Sequence, residues 1–191
     1  RIAMLPLAVA AVWWWLGPYL GGAARRWALL IAVFGSGVSG YLLPIFAPDR
    51  SLPGYYHLPM DLWVAEFSFF TSALHSGHLL AALALIAVIF GCSVRAIEAA
   101  PGRWSIVAGA AAFTLFSFHP FHVPLVFSVL GVWTLLLAGR GLGWVAFRHL
   151  AVVGAFSAPV LAYYAVALGV DPVTVGRTVR NLTLTPAWYL L

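Results

Sequence analysis

The sequence predicts an all-α fold, a polytopic bundle of about six transmembrane helices with one interfacial or re-entrant external loop. Three observations lead to this prediction. Of the 191 residues, 63% are hydrophobic and 8% are charged, whereas a soluble domain carries roughly 25% charged residues. The apolar residues form runs near the length that a bilayer requires, about 20 residues of helix. The loops between these runs alternate between arginine-bearing and arginine-poor, as expected when a chain crosses a membrane repeatedly.

Six apolar runs are predicted to be the spans. They cover about residues 2–20, 27–46, 76–94, 104–118, 121–139 and 149–168. Prolines within these runs do not exclude helices, because membrane helices tolerate proline as a kink or an end. We interpret residues 1–191 as a single transmembrane domain. Because the sequence starts at Arg1 rather than methionine and ends as a new apolar run begins, we expect it to be an internal fragment of a longer protein.

Composition also limits the partners. The net charge is +5, but no dense basic cluster is present, so we expect no nucleic-acid partner. The single cysteine, Cys92, excludes an internal disulfide and a cysteine-rich metal site. All ten basic residues are arginine, which favours a bacterial source with a high GC content. The partner that the composition predicts is membrane lipid.

The arginines predict the orientation of the bundle. Arginine and lysine are retained in short cytoplasmic loops. Three alternate loops hold six arginines and one acid: Arg25, Arg26, Arg95, Arg103, Arg140, Arg148 and Glu98. We therefore place these loops in the cytoplasm of a bacterial cell, with the protein in the inner membrane. The loop at about 47–75 and the HPFH turn at 119–122 are then extracytoplasmic.

The external loop at about 47–75 contains two acids, Asp61 and Glu66, among aromatic residues suited to the headgroup region. One interpretation is a re-entrant or interfacial segment without chemistry. The other is that the two carboxylates are held at the membrane surface, where they bind a divalent cation or act as a base. They are the candidate catalytic residues.

Two histidine pairs share the spacing H-x-x-H. His75 and His78 precede the third span, and His119 and His122 flank Pro120 between the fourth and fifth spans. Pro120 is expected to be the first helical residue of the fifth span. The fourth span is short, so the turn should lie recessed below the outer surface. The four imidazoles could bind a metal, cap helices or bind phosphate, or be plain interfacial residues.

Arg177 and Arg180 follow the last span on the predicted outer side. Excess arginine on the outer side is contrary to the general enrichment of arginine in cytoplasmic loops. Contact with lipid headgroups would explain it, and so would a phosphate clamp, because a guanidinium matches phosphate oxygens in a two-bond fork. We group the adjacent Asn181 with this pair as a candidate phosphate-binding residue.

Four stretches give the chain a resemblance to a known superfamily. They are FGSGVSGY (34–41), LPMDLWVAEFSFFTSALHSGHLL (58–80), FHPFHVPLVFSVLGVW (118–133) and DPVTVGRTVRNLTLTP (171–186). In this order they resemble bacterial multi-pass membrane proteins, mostly uncharacterised, that are similar to the GT-C glycosyltransferases. In those relatives the turn reads more like His-Pro-Tyr-Asp, so His122 stands where an acid would be.

The resemblance implies transfer of a sugar from a polyprenyl-phosphate donor on the extracytoplasmic face. It also implies a catalytic acid in the first external loop, which we expect to precede Arg1. Under this hypothesis His75, His78, His119 and His122 line a recessed cavity, and Arg177, Arg180 and Asn181 hold the donor phosphate. The alternative is a non-enzymatic membrane protein, either a transporter or an assembly scaffold. The apolar spans carry few ionisable residues, which is unusual for an ion-coupled transporter.

Overall fold

The computed structural model of the chain describes residues 3–34, 77–98 and 101–170. These residues form six helices and no strand, which confirms the all-α prediction for this part of the chain. In chain order the helices are α1 (Met4–Leu16), α2 (Gly22–Phe34), α3 (Gly77–Glu98), α4 (Pro101–Phe118), α5 (His122–Ala138) and α6 (Gly143–Val170). Each helix overlaps one of the six predicted spans.

Two of the described helices are long and apolar enough to cross a membrane. They are Gly77–Glu98, with a mean hydropathy of 2.3, and Gly143–Ala167, with a mean hydropathy of 1.8. Helix α1 is apolar but has 13 residues, which at 1.5 Å per residue is about 20 Å of a ~30 Å hydrocarbon core. The two longer helices indicate a membrane protein. The six-span count and the sidedness of the loops stay predictions.

Close helix contacts are made where glycine meets an aromatic ring. The indole of Trp14 on α1 lies directly over Gly91 on α3, in space that a Cβ atom would occupy. Arg95 Nη2 also donates to the Trp14 carbonyl oxygen at 3.2 Å, so α1 and α3 end together and run in the same direction. On the other side of the bundle, a Cβ at Gly109 of α4 would lie 2.8 Å from the ring of Phe156 on α6.

Alanines make up much of the buried core of the described bundle, and many large apolar side chains are exposed. Eight of the described core residues are alanines, namely Ala8, Ala82, Ala87, Ala96, Ala108, Ala111, Ala112 and Ala146. Large apolar residues, by contrast, are widely exposed, among them Leu135 (74%), Trp144 (69%) and Ile31 (68%). Small residues let membrane helices approach closely, and lipid covers the large ones. In water an apolar surface of this extent would cause association.

The turn between α4 and α5 corrects one prediction from the sequence. Pro120 is not the first helical residue of the fifth span, because α5 begins at His122. The amide of His122 donates to the His119 carbonyl oxygen (3.2 Å). The amide of Val123 donates to the Pro120 carbonyl oxygen (3.0 Å). These three-residue bonds tighten the chain into a turn before α5 starts. Pro120 therefore lies in the turn.

The turn between α5 and α6 depends on Gly141. Its φ of +79° is a left-handed conformation that glycine adopts without steric cost. The Gly141 amide donates to the Ala138 carbonyl oxygen (3.1 Å), and the Leu142 amide donates to that of Leu137 (3.0 Å). This is the Schellman pattern that ends a helix. It reverses the chain within a few residues and brings α6 back along α5.

Candidate functional site

Three histidines lie side by side at one end of the described bundle. The ring centroids of His78 and His119 are 5.5 Å apart, with the rings 29° from parallel. Those of His119 and His122 are 4.7 Å apart, with the rings at 75°. His78 is exposed, and the other two are partly buried. We call His78, His119 and His122 the histidine cluster.

The fold explains why these three residues meet. His78 is the second residue of α3, and α3 packs antiparallel to α4, so the start of α3 lies beside the end of α4. A residue that precedes proline is disfavoured in the helical region, and His119, just before Pro120, is the first residue beyond α4. His122 then opens α5 after the tight turn. The sequence placed these three histidines on one side, and the structure brings them into ring contact.

An open groove includes Ser117, which is two residues before His119 of the histidine cluster in the sequence. It has a volume of about 310 Å³ and is lined by Phe113, Ser117, Pro159, Val160, Tyr163 and Tyr164. Tyr164 Oη donates to the Ser117 carbonyl oxygen at 3.1 Å, which joins the end of α4 to the second half of α6. Pro159 lies inside α6 and cannot donate a helical hydrogen bond. The groove is mainly apolar, and three of its lining residues, Ser117, Tyr163 and Tyr164, carry hydroxyl groups.

The chemistry available to the histidine cluster is that of imidazole. Each ring nitrogen either donates or accepts a hydrogen bond, according to its protonation, so the cluster can contact phosphate or hydroxyl oxygens. Among the described residues, no group of three or more histidine, cysteine, aspartate or glutamate side chains could hold a metal ion.

The other candidate residues lie outside the part of the chain that the structure describes. This applies to the two carboxylates proposed for catalysis or for a divalent cation, to one histidine of the first pair and to the proposed phosphate clamp. They are Asp61, Glu66, His75, Arg177, Arg180 and Asn181.

A second polar network lies at the opposite end of the bundle, and the sequence did not predict it. His149 on α6 is 3% exposed, and its two ring nitrogens face serines on two other helices. Its Nδ1 lies 2.8 Å from Ser105 Oγ on α4, and its Nε2 lies 2.8 Å from Ser93 Oγ on α3. We call these three residues the serine–histidine bridge.

The hydrogen atom between His149 and Ser93 can be placed. Ser93 Oγ donates its single hydrogen to the Ile89 carbonyl oxygen at 2.7 Å. It therefore accepts from His149, whose Nε2 carries the ring hydrogen. Nδ1 makes the corresponding contact with Ser105 Oγ, and which of these two atoms donates depends on the protonation of the ring. The imidazole thus links α3, α4 and α6 within a helix interface.

Sequence reasoning missed this bridge because it started the last span too late. The span was predicted from about 149, next to Arg148, which puts His149 at its first residue. The helix starts at Gly143, which places His149 in its second turn, facing the core. The apolar residues of the segment 144–147 were the signal that the helix extends further toward the N-terminus.

Comparison of the chain with protein-family models, with curated proteins and with solved structures found no match. The GT-C resemblance thus stays a prediction from the sequence.

Proposed function

We propose that the chain is part of a GT-C-like glycosyltransferase of the bacterial inner membrane, which moves a sugar from a lipid-phosphate donor on the extracytoplasmic face. The observation that carries this proposal is the histidine cluster, in which three imidazoles from separate segments meet at the end away from the arginine-bearing loops. The neighbouring groove and the two membrane-length helices fit a ligand that has both a polar head and an apolar chain.

The proposed roles follow from the chemistry of each group. His78, His119 and His122 donate hydrogen bonds to oxygens of the donor phosphate. Arg177, Arg180 and Asn181 complete the phosphate contacts, because arginine binds phosphate in a planar fork. Asp61 and Glu66 contact the acceptor, either as a base or through a divalent cation. His75 lines the same cavity. In this orientation the loop at about 47–75 and the turn at 119–122 face outward.

Lipid binding tests the proposal directly. The protein in detergent is titrated with undecaprenyl phosphate and, separately, with undecaprenol, and bound lipid is counted by native mass spectrometry. We expect the phosphate form to bind at least tenfold more tightly, since hydrogen bonds to a charged group contribute about 1.5–3 kcal/mol. His119→Ala and His122→Ala should each remove most of this preference.

Phe121→Ala is the matched control, because Phe121 lies in the same turn and is 71% exposed. It should leave the preference for phosphate unchanged. Equal binding of the two lipids by the unaltered protein would reject a phosphate site. If Phe121→Ala lost the preference for phosphate as fully as His119→Ala and His122→Ala, the conformation of the turn, and not its imidazoles, would determine binding.

Catalysis requires a separate assay. Polyprenyl-phosphate-linked sugar carrying a radiolabel is incubated with the protein, and the label leaving the lipid is measured. Asp61→Asn and Glu66→Gln should lower this transfer at least tenfold while leaving lipid affinity intact, because a catalytic carboxylate acts on the reaction more than on donor binding. If both variants transfer sugar at the normal rate, these acids have no catalytic role.

The second candidate function, a transporter, is favoured by His149. An ionisable residue within a membrane helix is a candidate for ion or proton coupling. Uptake into vesicles driven by a proton gradient would distinguish the two functions. A transporter should lose gradient-driven uptake in a His149→Gln variant, whereas the glycosyltransferase should show no uptake in either form.

A further inference from the structure

Positive charge predominates strongly in the described part of the chain. It contains six arginines and one acid, Glu98. These residues share one end of the bundle, opposite the histidine cluster, because the ends of α1 and α3 meet the starts of α2 and α4 there. Contacts with tryptophan hold three of the arginines in place. We call Trp13, Trp14, Trp104, Arg25, Arg95 and Arg103 the tryptophan–arginine cluster.

Each arginine of the cluster lies over an indole. The guanidinium carbon of Arg25 is 3.9 Å from the Trp13 ring centroid, and that of Arg95 is 3.8 Å from the Trp14 centroid. Two guanidinium groups also approach the same ring, because Trp104 is 4.7 Å from Arg103 and 5.9 Å from Arg95. Trp14 and Trp104 are themselves 6.0 Å apart. Four helices, α1 to α4, thus contribute cations and rings to this cluster.

Two of these arginines already donate hydrogen bonds to backbone carbonyl oxygens. Arg25 donates from Nε and Nη2 to the Trp13 carbonyl oxygen. Arg95 donates to the carbonyl oxygens of Gly91 (2.9 Å) and Trp14 (3.2 Å). A guanidinium has more N–H groups than these bonds use, so both keep donors for a ligand. The bonds and the ring contacts order the side chains in advance, which lowers the entropy lost on binding.

Arg103 is the exposed member of the cluster. It lies in the first turn of α4, and its side chain is accessible while resting on Trp104. Arg95 approaches the same ring, so a phosphate at the edge of Trp104 could receive hydrogen bonds from two guanidinium groups. Tryptophan prefers the headgroup level of a bilayer, and arginine near that level attracts anionic lipid.

We propose that the tryptophan–arginine cluster is a binding site for the phosphate of an anionic phospholipid, with Arg103 as its principal exposed contact and Arg95 and Arg25 as pre-ordered supports. The site is independent of the proposed glycosyl transfer and lies at the other end of the molecule. The charge of the patch opposes that of the headgroup, and Glu98 is the one acid among the described residues that reduces it. This opposite charge favours phosphatidylglycerol, an anionic phospholipid, as the occupant.

The test uses the protein in detergent with phosphatidylglycerol or phosphatidylcholine added, and native mass spectrometry measures the affinity for each lipid. Phosphatidylglycerol should bind more tightly, and Arg103→Gln should weaken it about tenfold, as expected for one charge-assisted hydrogen bond. Arg140→Gln is the matched control, because it removes the same charge from the exposed α5–α6 turn, outside the cluster. It should change the affinity less than about twofold.

Arg103→Lys separates charge from shape. Lysine keeps the positive charge but lacks the planar fork, so its affinity should lie between those of the unaltered protein and Arg103→Gln. Equal losses of phosphatidylglycerol affinity in Arg103→Gln and Arg140→Gln would overturn the proposal, because they would indicate a non-specific attraction between the positive charges and the lipid. Equal affinity for the two lipids would overturn it as well. Displacement of phosphatidylglycerol by a short RNA at equal phosphate concentration would instead assign the patch to nucleic acid.

Discussion

His149 Nε2 lies 2.8 Å from Ser93 Oγ, and this buried hydrogen bond joins α6 to α3 across an otherwise apolar interface. The same imidazole reaches Ser105 on α4, so one side chain connects three helices. Ser93 and His149 are 1% and 3% exposed. A buried polar group that loses its partner costs free energy, because no water replaces the bond.

Ser93→Ala is therefore expected to destabilise the protein by about 1–3 kcal/mol, the typical cost of a buried donor left without an acceptor. The donor in this case is the Nε2–H of His149. The midpoint of thermal unfolding, measured in one detergent, should fall accordingly. The measurement requires the same protein-to-detergent ratio throughout, since bound amphiphile shifts the midpoint by mass action.

Ser157→Ala is the matched control for this prediction. Ser157 is also fully buried, at 0% exposure, but its hydroxyl donates within its own helix to the Val153 carbonyl oxygen at 2.8 Å. Its removal leaves that carbonyl with its helical bond and strands no group on another helix. The variant should be destabilised less than Ser93→Ala, because no buried donor loses its acceptor. Equal destabilisation by both substitutions would contradict the bridging role of Ser93.

The sequence was sufficient to predict helices and their approximate limits, because long apolar runs have few structural alternatives in a membrane. It also placed His78, His119 and His122 at one end, since alternate loops must lie on the same side. Ring contact among them could not be predicted. That contact depends on which helices are neighbours, and periodicity is uninformative when nearly every position of a helix is apolar.

The same reason explains why His149 and the tryptophan–arginine cluster were missed. Positive-inside counting treats Arg95 and Arg103 as equivalent loop charges, although the structure places both of them against Trp104. These contacts with Trp104 come from side-chain packing at the helix ends, which a count of charges does not include. Likewise, the partners of His149 are 56 and 44 residues away along the chain, so no local pattern connects them.

Gly91 is predicted to be essential for the packing of α1 on α3. A methyl group at this position would overlap the Trp14 indole, which is itself held by Arg95. Gly91→Ala should therefore lower the unfolding midpoint, with a cost of about 1–3 kcal/mol from the enforced shift of the two helices.

Gly154→Ala provides the comparison, because nothing lies within 4 Å of a Cβ built at that residue of α6. Alanine is favoured over glycine inside a helix by roughly 0.5–1 kcal/mol. This variant should be as stable as the unaltered protein or more so. If Gly91→Ala were equally well tolerated, the close approach of α1 and α3 would not exist in the folded protein.

Cysteine labelling should place the histidine cluster and the α5–α6 turn on opposite faces of the membrane. The single native cysteine, Cys92, is 0% exposed and should not react, so an introduced cysteine gives a clean signal. In intact bacterial cells, a membrane-impermeant maleimide should label Phe121→Cys, at the turn beside the histidines. It should label Arg140→Cys only after the cells are permeabilised, since an arginine-bearing loop is predicted to be cytoplasmic. Labelling of both positions from the outside would refute the proposed crossing by α5, and the reverse pattern would place the histidine cluster in the cytoplasm.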